Sequence, residues 1–268
     1  MRFKFLGYSA FLALTELYRS NRRVKFDEDS SIPILVLGLI LVLTTGTFSQ
    51  TYFEDNFDDA AQSAKKWTPL FGQWEFKDKE YHQLGKEPNS MSVVSDEFWK
   101  EEWNNYTFEV KGNKIGGAEG FLIMFRCRGM MEARGKKLNK HPARMAEQKP
   151  SLEYWWNLGG WGNTRSKVES WGGKGGADSK DTIKDKTWQQ IKIINTPKDY
   201  TLFLDGKEIA KVGDDTQKGI GRIGLATWST QARYDNVIVY GPNGPDATTA
   251  VQKNGKATLI WGEIKTQN

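Results

Sequence analysis

Thirteen consecutive residues carry the densest chemistry in the chain: Glu153-Tyr154-Trp155-Trp156-Asn157-Leu158-Gly159-Gly160-Trp161-Gly162-Asn163-Thr164-Arg165. Three indoles, two carboxamides, a carboxylate and a guanidinium stand together here. A core strand has no use for so many polar groups, and a solvated loop has no use for the indoles. Flat aromatic faces ringed by amide and guanidinium groups suit a sugar ring, because the faces cover its C–H surface and the polar groups bond its hydroxyls. The alternative is that the tryptophans fill the core of a β domain.

Strand alternation divides the stretch. Tyr154 and Trp156 fall on one face and are the better core candidates, while Glu153, Trp155 and Asn157 fall on the other. Gly159-Gly160-Trp161-Gly162-Asn163 then turns the chain, which makes Trp161, Asn163 and Arg165 a rim. Upstream, Phe121-Leu122-Ile123-Met124-Phe125-Arg126-Cys127 is apolar on both faces until Arg126, the pattern of a central strand covered on both sides. Continued alternation puts Arg126 on the face of Leu122 and Met124. An arginine ending a buried strand needs an anion or hydroxyls, so Arg126 is either a floor residue of the site or the ion-pair partner of a neighbouring carboxylate such as Glu153. Trp228, at the end of another strand, completes the candidate surface.

The elements that must position these residues are strands. From about Tyr52 the apolar period is two, and no segment before Gly241 sustains a helical period. Asp205-Gly206 between two alternating runs is the strongest hairpin signal. Residues 128–150 are basic and aperiodic and read as a long loop. About a dozen short strands with regular turn signals predict an all-β fold, an antiparallel two-sheet jelly-roll sandwich. Eleven tryptophans and 27 glycines against 8 prolines, among 268 residues, agree with strands joined by tight turns.

The net charge of +5 does not argue for nucleic acid, because the 38 Lys and Arg are spread among 33 acidic residues. One cysteine, Cys127, allows no intrachain disulfide, and two distant histidines, His82 and His141, lack the ligand spacing of a zinc site. No organic cofactor is expected. Gly172-Gly173-Lys174-Gly175-Gly176 lacks the strand-then-helix context and the following Lys-Ser/Thr of a phosphate loop.

The first 50 residues read as a leader whose apolar core spans 32–43. That run is short for a membrane span of ~20 residues and matches a secretory signal. A retained anchor at 32–48 is the alternative, and would be the chain's only tie to a membrane. Either way residues 51–241 form the folded domain outside the cytoplasm, whether secreted, periplasmic or at the cell surface. Residues 242–268 are a linker with a short strand or tail, Ala257 to Lys265.

Glu119-Gly120-Phe121-Leu122-Ile123-Met124-Phe125-Arg126, the run Tyr154 to Thr164, Leu204-Asp205-Gly206-Lys207 and Tyr234-Asp235-Asn236-Val237 carry a resemblance over about residues 52–241. The chain resembles the concanavalin A-like, laminin-G-type accessory domain of family-51 α-L-arabinofuranosidases. More loosely it is similar to family-16-like and 3-keto-disaccharide hydrolase domains. The resemblance implies a jelly roll whose partner is a polysaccharide or oligosaccharide. It does not imply arabinofuranosidase activity, since that chemistry belongs to a barrel of ~250 residues for which the chain has no room. It also implies a structural calcium ion, with Asp55 or Asp58 and Asp235 in the ligand positions; the alternatives are a solvated turn at Asp58-Asp59 and a cap at Asp235.

Retaining glycosidases need two carboxylates ~5–5.5 Å apart. The Glu-x-Asp-x-x-Glu spacing of sandwich glucanases is absent, and Glu153 and Glu169 are the acids near the tryptophans. The expectation is therefore a carbohydrate-binding domain without catalysis. A sandwich glycosidase using Glu153 and Glu169 is the alternative, and a protein-interaction module a weaker third.

Overall fold

The computed structural model describes residues 50–128, 131–133, 143–145, 152–171 and 173–245. The leader and its apolar core, most of the basic loop and the tail beyond 245 lie outside them.

Two antiparallel sheets form the domain. The strands are β1 (Thr51–Asp55), β2 (Trp67–Phe71), β3 (Trp74–Lys77), β4 (Glu80–Gln83), β5 (Ser90–Val94), β6 (Tyr106–Gly117), β7 (Phe121–Arg128), β8 (Met131–Ala133), β9 (Ala143–Met145), β10 (Leu152–Gly159), β11 (Arg165–Trp171), β12 (Gly176–Ser179), β13 (Trp188–Asn195), β14 (Asp199–Leu204), β15 (Lys207–Gly213), β16 (Arg222–Thr227) and β17 (Thr230–Tyr240). The first sheet runs β15-β14-β13-β6-β17-β4-β3, with β1 also paired to β17. The second runs β12-β11-β10-β7-β16-β5-β2, and β8 and β9 pair as a separate ribbon. The expected jelly-roll sandwich is thus what the chain forms, with the tryptophan-rich strand and the Phe121 strand adjacent at the centre of the second sheet.

Alternation explains the packing. In β13, Gln189, Ile191, Ile193 and Asn195 are buried while the intervening residues are more exposed. Ile191 and Ile193 stand opposite Val110 and Phe108 of β6. From the second sheet, Phe121, Ile123 and Phe125 with Tyr154, Trp156 and Leu158 enter the same inter-sheet core. Rings meet across it edge-on, with the Phe125 and Tyr200 centroids 5.1 Å apart. Each such side chain contributes about 1.5–3 kcal/mol on burial. A second apolar cluster lies on the outer face of the second sheet: Met91, Val93, Leu122, Met124, Cys127, Trp155 and Ala226.

Two expectations need correction. A helix, α1, does occur at Ala60–Lys66, capped by Asp59, whose carboxylate accepts from the N–H groups of Ala61 and Gln62. Seven residues are too few for a helical period to stand out in a sequence window.

The second correction concerns Arg126. Between Phe125 and Arg128, β7 holds one more residue than β10, which runs from Tyr154 to Leu152 opposite it, and the same excess appears against β16. This is a β-bulge, with Arg126 at φ 50°. It flips the alternation, so Cys127 joins the outer face and Arg126 turns inward. There Arg126 is fully buried. Its Nε donates to Asn195 Oδ1 at 2.5 Å, Nη1 to the Asp214 carbonyl at 3.1 Å, and Nη2 to the carbonyls of Thr196 and Asp199 at 3.0 and 2.9 Å. The guanidinium also stacks 5.3 Å from the rings of Tyr154 and Tyr200. Its carboxylate partner is Asp214, at 3.7 Å, and not Glu153. Asp214 accepts in turn from the Tyr154 hydroxyl and from the N–H groups of Lys174 and Thr216. Burial alone would raise the Asp214 pKa, but the Thr216 and Tyr154 hydrogen bonds and the Arg126 charge outweigh it and hold the carboxyl below its usual range. The Tyr154 hydroxyl is pushed up to about 12, first by burial and then by its bond to Asp214. This network ties the two sheets together at one end of the core.

Candidate functional site

The outer face of the second sheet carries Trp155 between Met124 of β7 and Glu169 of β11 in register. Asn157 stands between Leu122 and Lys167, and its Nδ2 donates to Glu169 Oε2 at 3.2 Å. The predicted division of the strand holds. Tyr154 and Trp156 belong to the inter-sheet core, and Trp155 to the outer cluster. Glu153, Trp155 and Asn157 are all buried, at 2%, 5% and 7% exposure, so they are not an open floor. Trp228 is half-buried against the same cluster. Glu153 lies towards the far end, where its charge acts on the Cys127 thiol. Burial first, and then Glu153, push that thiol up and leave it unreactive.

The open part is the rim. After β10 the backbone makes a left-handed turn, with Gly159, Trp161, Gly162 and Asn163 at φ 76°, 51°, 72° and 59°. Gly160 matters for a different reason: a Cβ there would press on the Asn157 amide and force it to shift. Asn163 clamps the turn by a reciprocal pair, donating to the Ile183 carbonyl at 2.8 Å and accepting from its N–H at 2.9 Å. Asn163 therefore positions the rim rather than facing a ligand. The turn presents Trp161, 38% exposed, with the Arg165 guanidinium 4.1 Å over its ring. Arg165 is oriented by Asp178 at 3.4 Å.

One residue escaped the sequence reading. Glu119, in the turn leading into β7, accepts from the backbone N–H groups of Gly162 and Trp161. Burial, reinforced by the nearby charge of Glu169 and opposed by those two hydrogen bonds, raises its carboxyl above the usual range. The signal was available in the topology: Phe121 pairs with Leu158, so the turn before β7 and the turn after β10 share one end of the sheet. Trp161, Arg165, Asn157, Glu169 and Glu119 are thus gathered at one place. Arg126 is not among them.

The profile of the 3-keto-alpha-glucoside-1,2-lyase-like domain matches residues 53–239, nearly the whole sandwich. The chain belongs to this family. It is also 32% identical over 216 residues to an extracellular exo-alpha-L-arabinofuranosidase of Streptomyces chartreusis, covering 78% of this chain but only 23% of that relative. Among solved structures, a Bacillus subtilis protein of unknown function with a galectin-like fold superposes with a TM-score of 0.50 at 15% identity, covering 71% of this chain and 95% of that one. A mutant of SCLam, a non-specific endo-beta-1,3(4)-glucanase of family GH16, does so with 0.50 at 13% identity, covering 72% and 95%. At these identities the two solved structures speak for the fold alone.

In this member of the family the residues expected to hold calcium are otherwise engaged. Asp55 accepts from Phe57 N–H, Ser63 Oγ and Trp67 Nε1 at 3.1, 2.8 and 3.0 Å, and Lys66 Nζ stands 3.9 Å away. Such a donor set complements a carboxylate and not a cation. Asp58 pairs with Asn56 and Lys79, and Asp235 accepts from Asn236. Among the described residues no three Asp, Glu, His or Cys side chains converge. The three aspartates do not fit a calcium site as they stand.

Proposed function

We propose that the domain is an exported carbohydrate-binding sandwich that grips a polysaccharide or oligosaccharide chain at the rim of the second sheet, without its own catalysis. The observation that carries this reading is the exposed Trp161 indole stacked by Arg165, beside the Asn157–Glu169 hydrogen bond. A flat apolar surface, a cation with free N–H edges, and an amide–carboxylate pair make the donor and acceptor set that sugar hydroxyls need. The relative's name supports export and makes arabinose-containing glycans the first to try.

Affinity electrophoresis of the chain through gels containing arabinan, xylan or β-glucan tests the proposal. Retardation in at least one, lost in Trp161→Ala at unchanged melting temperature, is the expected result. Equal mobility in all three, or full retardation of Trp161→Ala, counts against it.

A second reading, glycoside cleavage, has one observation in its favour: Glu119, held protonated to higher pH than an ordinary glutamate, stands close to Glu169. A pair of nearby carboxyls, one of them with a raised pKa, is what acid–base glycosidase chemistry uses. Glu153, the other acid considered from sequence, lies towards the opposite end of the face. Release of reducing sugar that is lost in both Glu119→Gln and Glu169→Gln would establish cleavage, and its absence across the same glycans would dismiss it.

A further inference from the structure

The first sheet also has an outer face, and one cross-strand row on it repeats the chemistry of the rim. In register across four strands lie Trp188 of β13, Asn113 of β6, Arg233 of β17 and His82 of β4. Tyr234 and Tyr81, next to Arg233 and His82, are in the core, and Gln189 beside Trp188 is buried, so alternation turns this row outward. Trp188 is 36% exposed, and Ile115, two residues beyond Asn113 on β6, is 39% exposed. Among the described residues these are two of only three exposed large apolar side chains, and the third is Trp161.

The polar groups beside Trp188 are ordered. The Arg233 guanidinium lies 5.0 Å over the indole and donates from Nη1 to Glu80 Oε2 at 3.2 Å. The same carboxylate oxygen is 3.2 Å from His82 Nε2. With the Asn113 amide in the orientation that satisfies both its ends, its Oδ1 accepts from Arg233 Nη2 at 3.3 Å and its Nδ2 donates to the Lys114 carbonyl at 3.2 Å. Asn113 and His82 are themselves buried, at 2% and 8%. An exposed indole is therefore held by a stacked arginine whose orientation is fixed from beneath by an amide and a carboxylate.

We infer that this row is a second carbohydrate-binding site, centred on Trp188, on the opposite side of the sandwich from Trp161, building on the sugar-binding reading above. The ligand class is a neutral sugar. The Arg233 charge is already matched by Glu80, so the cation stacked on the indole is not left to attract a uronate or sulfate, while the exposed indole supplies the flat apolar surface that a sugar's C–H face needs. Two sites on opposite faces let one domain hold two chains of a glycan network, or bind one polymer with avidity.

Titration calorimetry of the full chain with soluble arabino-, xylo- and β-gluco-oligosaccharides, together with gel retardation, tests this. The wild type is expected to bind two oligosaccharides per chain. Trp188→Ala and Trp161→Ala should each bind one, and Trp188→Phe, which keeps a flat ring, should retain the second. Retardation by the polymer should fall by roughly tenfold or more in either single alanine variant, as loss of one of two linked contacts requires. A stoichiometry of one that Trp188→Ala leaves unchanged overturns the second site and spares the first. A stoichiometry of one lost only in Trp188→Ala overturns the Trp161 proposal and keeps this one. No binding of any oligosaccharide overturns both. If Trp188→Ala converts a dimer to a monomer in light scattering without touching sugar binding, the face joins copies of the chain and the inference is wrong.

Discussion

The two outer faces of the sandwich are built on opposite principles. On the second sheet the outer face is apolar at its centre, with Met91, Leu122, Met124, Trp155 and Ala226 all buried, and its polar groups are gathered at one end. On the first sheet the outer face carries cross-strand ion pairs: Glu109 accepts from the Tyr240 hydroxyl at 2.6 Å and faces Lys192 at 3.8 Å, and Glu80 accepts from Arg233 at 3.2 Å. Yet each face exposes one tryptophan stacked by one arginine, with an asparagine and a glutamate beside it. The contrast shows where the polar groups get their rigidity. On the second sheet a left-handed turn, clamped by Asn163, aims the site. On the first, cross-strand register, the Arg233–Glu80 ion pair and the Asn113 amide do so.

The largest effect comes from breaking what both faces share, the buried Arg126–Asp214 network that joins the sheets. Asp214→Ala leaves a buried guanidinium without its carboxylate and is expected to cost about 3–5 kcal/mol, read as a lower urea midpoint with binding weakened at both faces. Next is the turn that only the second face uses. Gly160→Val drives a side chain into the Asn157 amide and is expected to cost about 1–3 kcal/mol. It should abolish binding at Trp161 while sparing Trp188, which the stoichiometry of titration reads directly.

A smaller effect separates the two networks by pH. Glu119 has a raised carboxyl, so the folded state holds its proton more tightly than the unfolded chain. Its contribution to stability is present below the ordinary value of 4.5 and is lost as pH rises through the folded value. Asp214 has a depressed carboxyl, so its contribution is present above the ordinary 3.8 and is lost as pH falls through the folded value. Melting curves across the acid range should therefore decline less as pH rises in Glu119→Gln, and lose part of their acid sensitivity in Asp214→Asn, the rest remaining with carboxyls such as Asp199, which is also held below its usual range. Smallest is Asp178→Ala at the half-exposed pair with Arg165, expected to cost under about 1 kcal/mol in the same melts, while loosening the Trp161 stack enough to weaken sugar binding severalfold.

Much of this was legible in the residues. The two-face apolarity of Phe121 to Phe125 marked a strand covered on both sides, and the alternation through Tyr154, Trp155, Trp156 and Asn157 assigned each side chain its correct face. What stayed hidden were departures from alternation and contacts made by topology. One extra residue in β7 reverses Arg126, and no single-strand pattern announces a bulge in which the positive φ falls on arginine rather than glycine. Glu119 reaches the rim only because antiparallel pairing brings two turns to one end of a sheet. The Trp188 row is spread over Trp188, Asn113, Arg233 and His82, four strands far apart in sequence, so no local motif could carry it.

Everything proposed for the second sheet turns on Trp161 as the exposed platform of a sugar site. The decisive experiment is calorimetric titration of Trp161→Ala beside the wild type, using whichever of arabinan, xylan or β-glucan oligosaccharides the wild type binds. One binding event per chain should disappear, with affinity at that site falling by at least tenfold, about 1.4 kcal/mol, at unchanged melting temperature. Unaltered stoichiometry and affinity in Trp161→Ala would contradict the assignment.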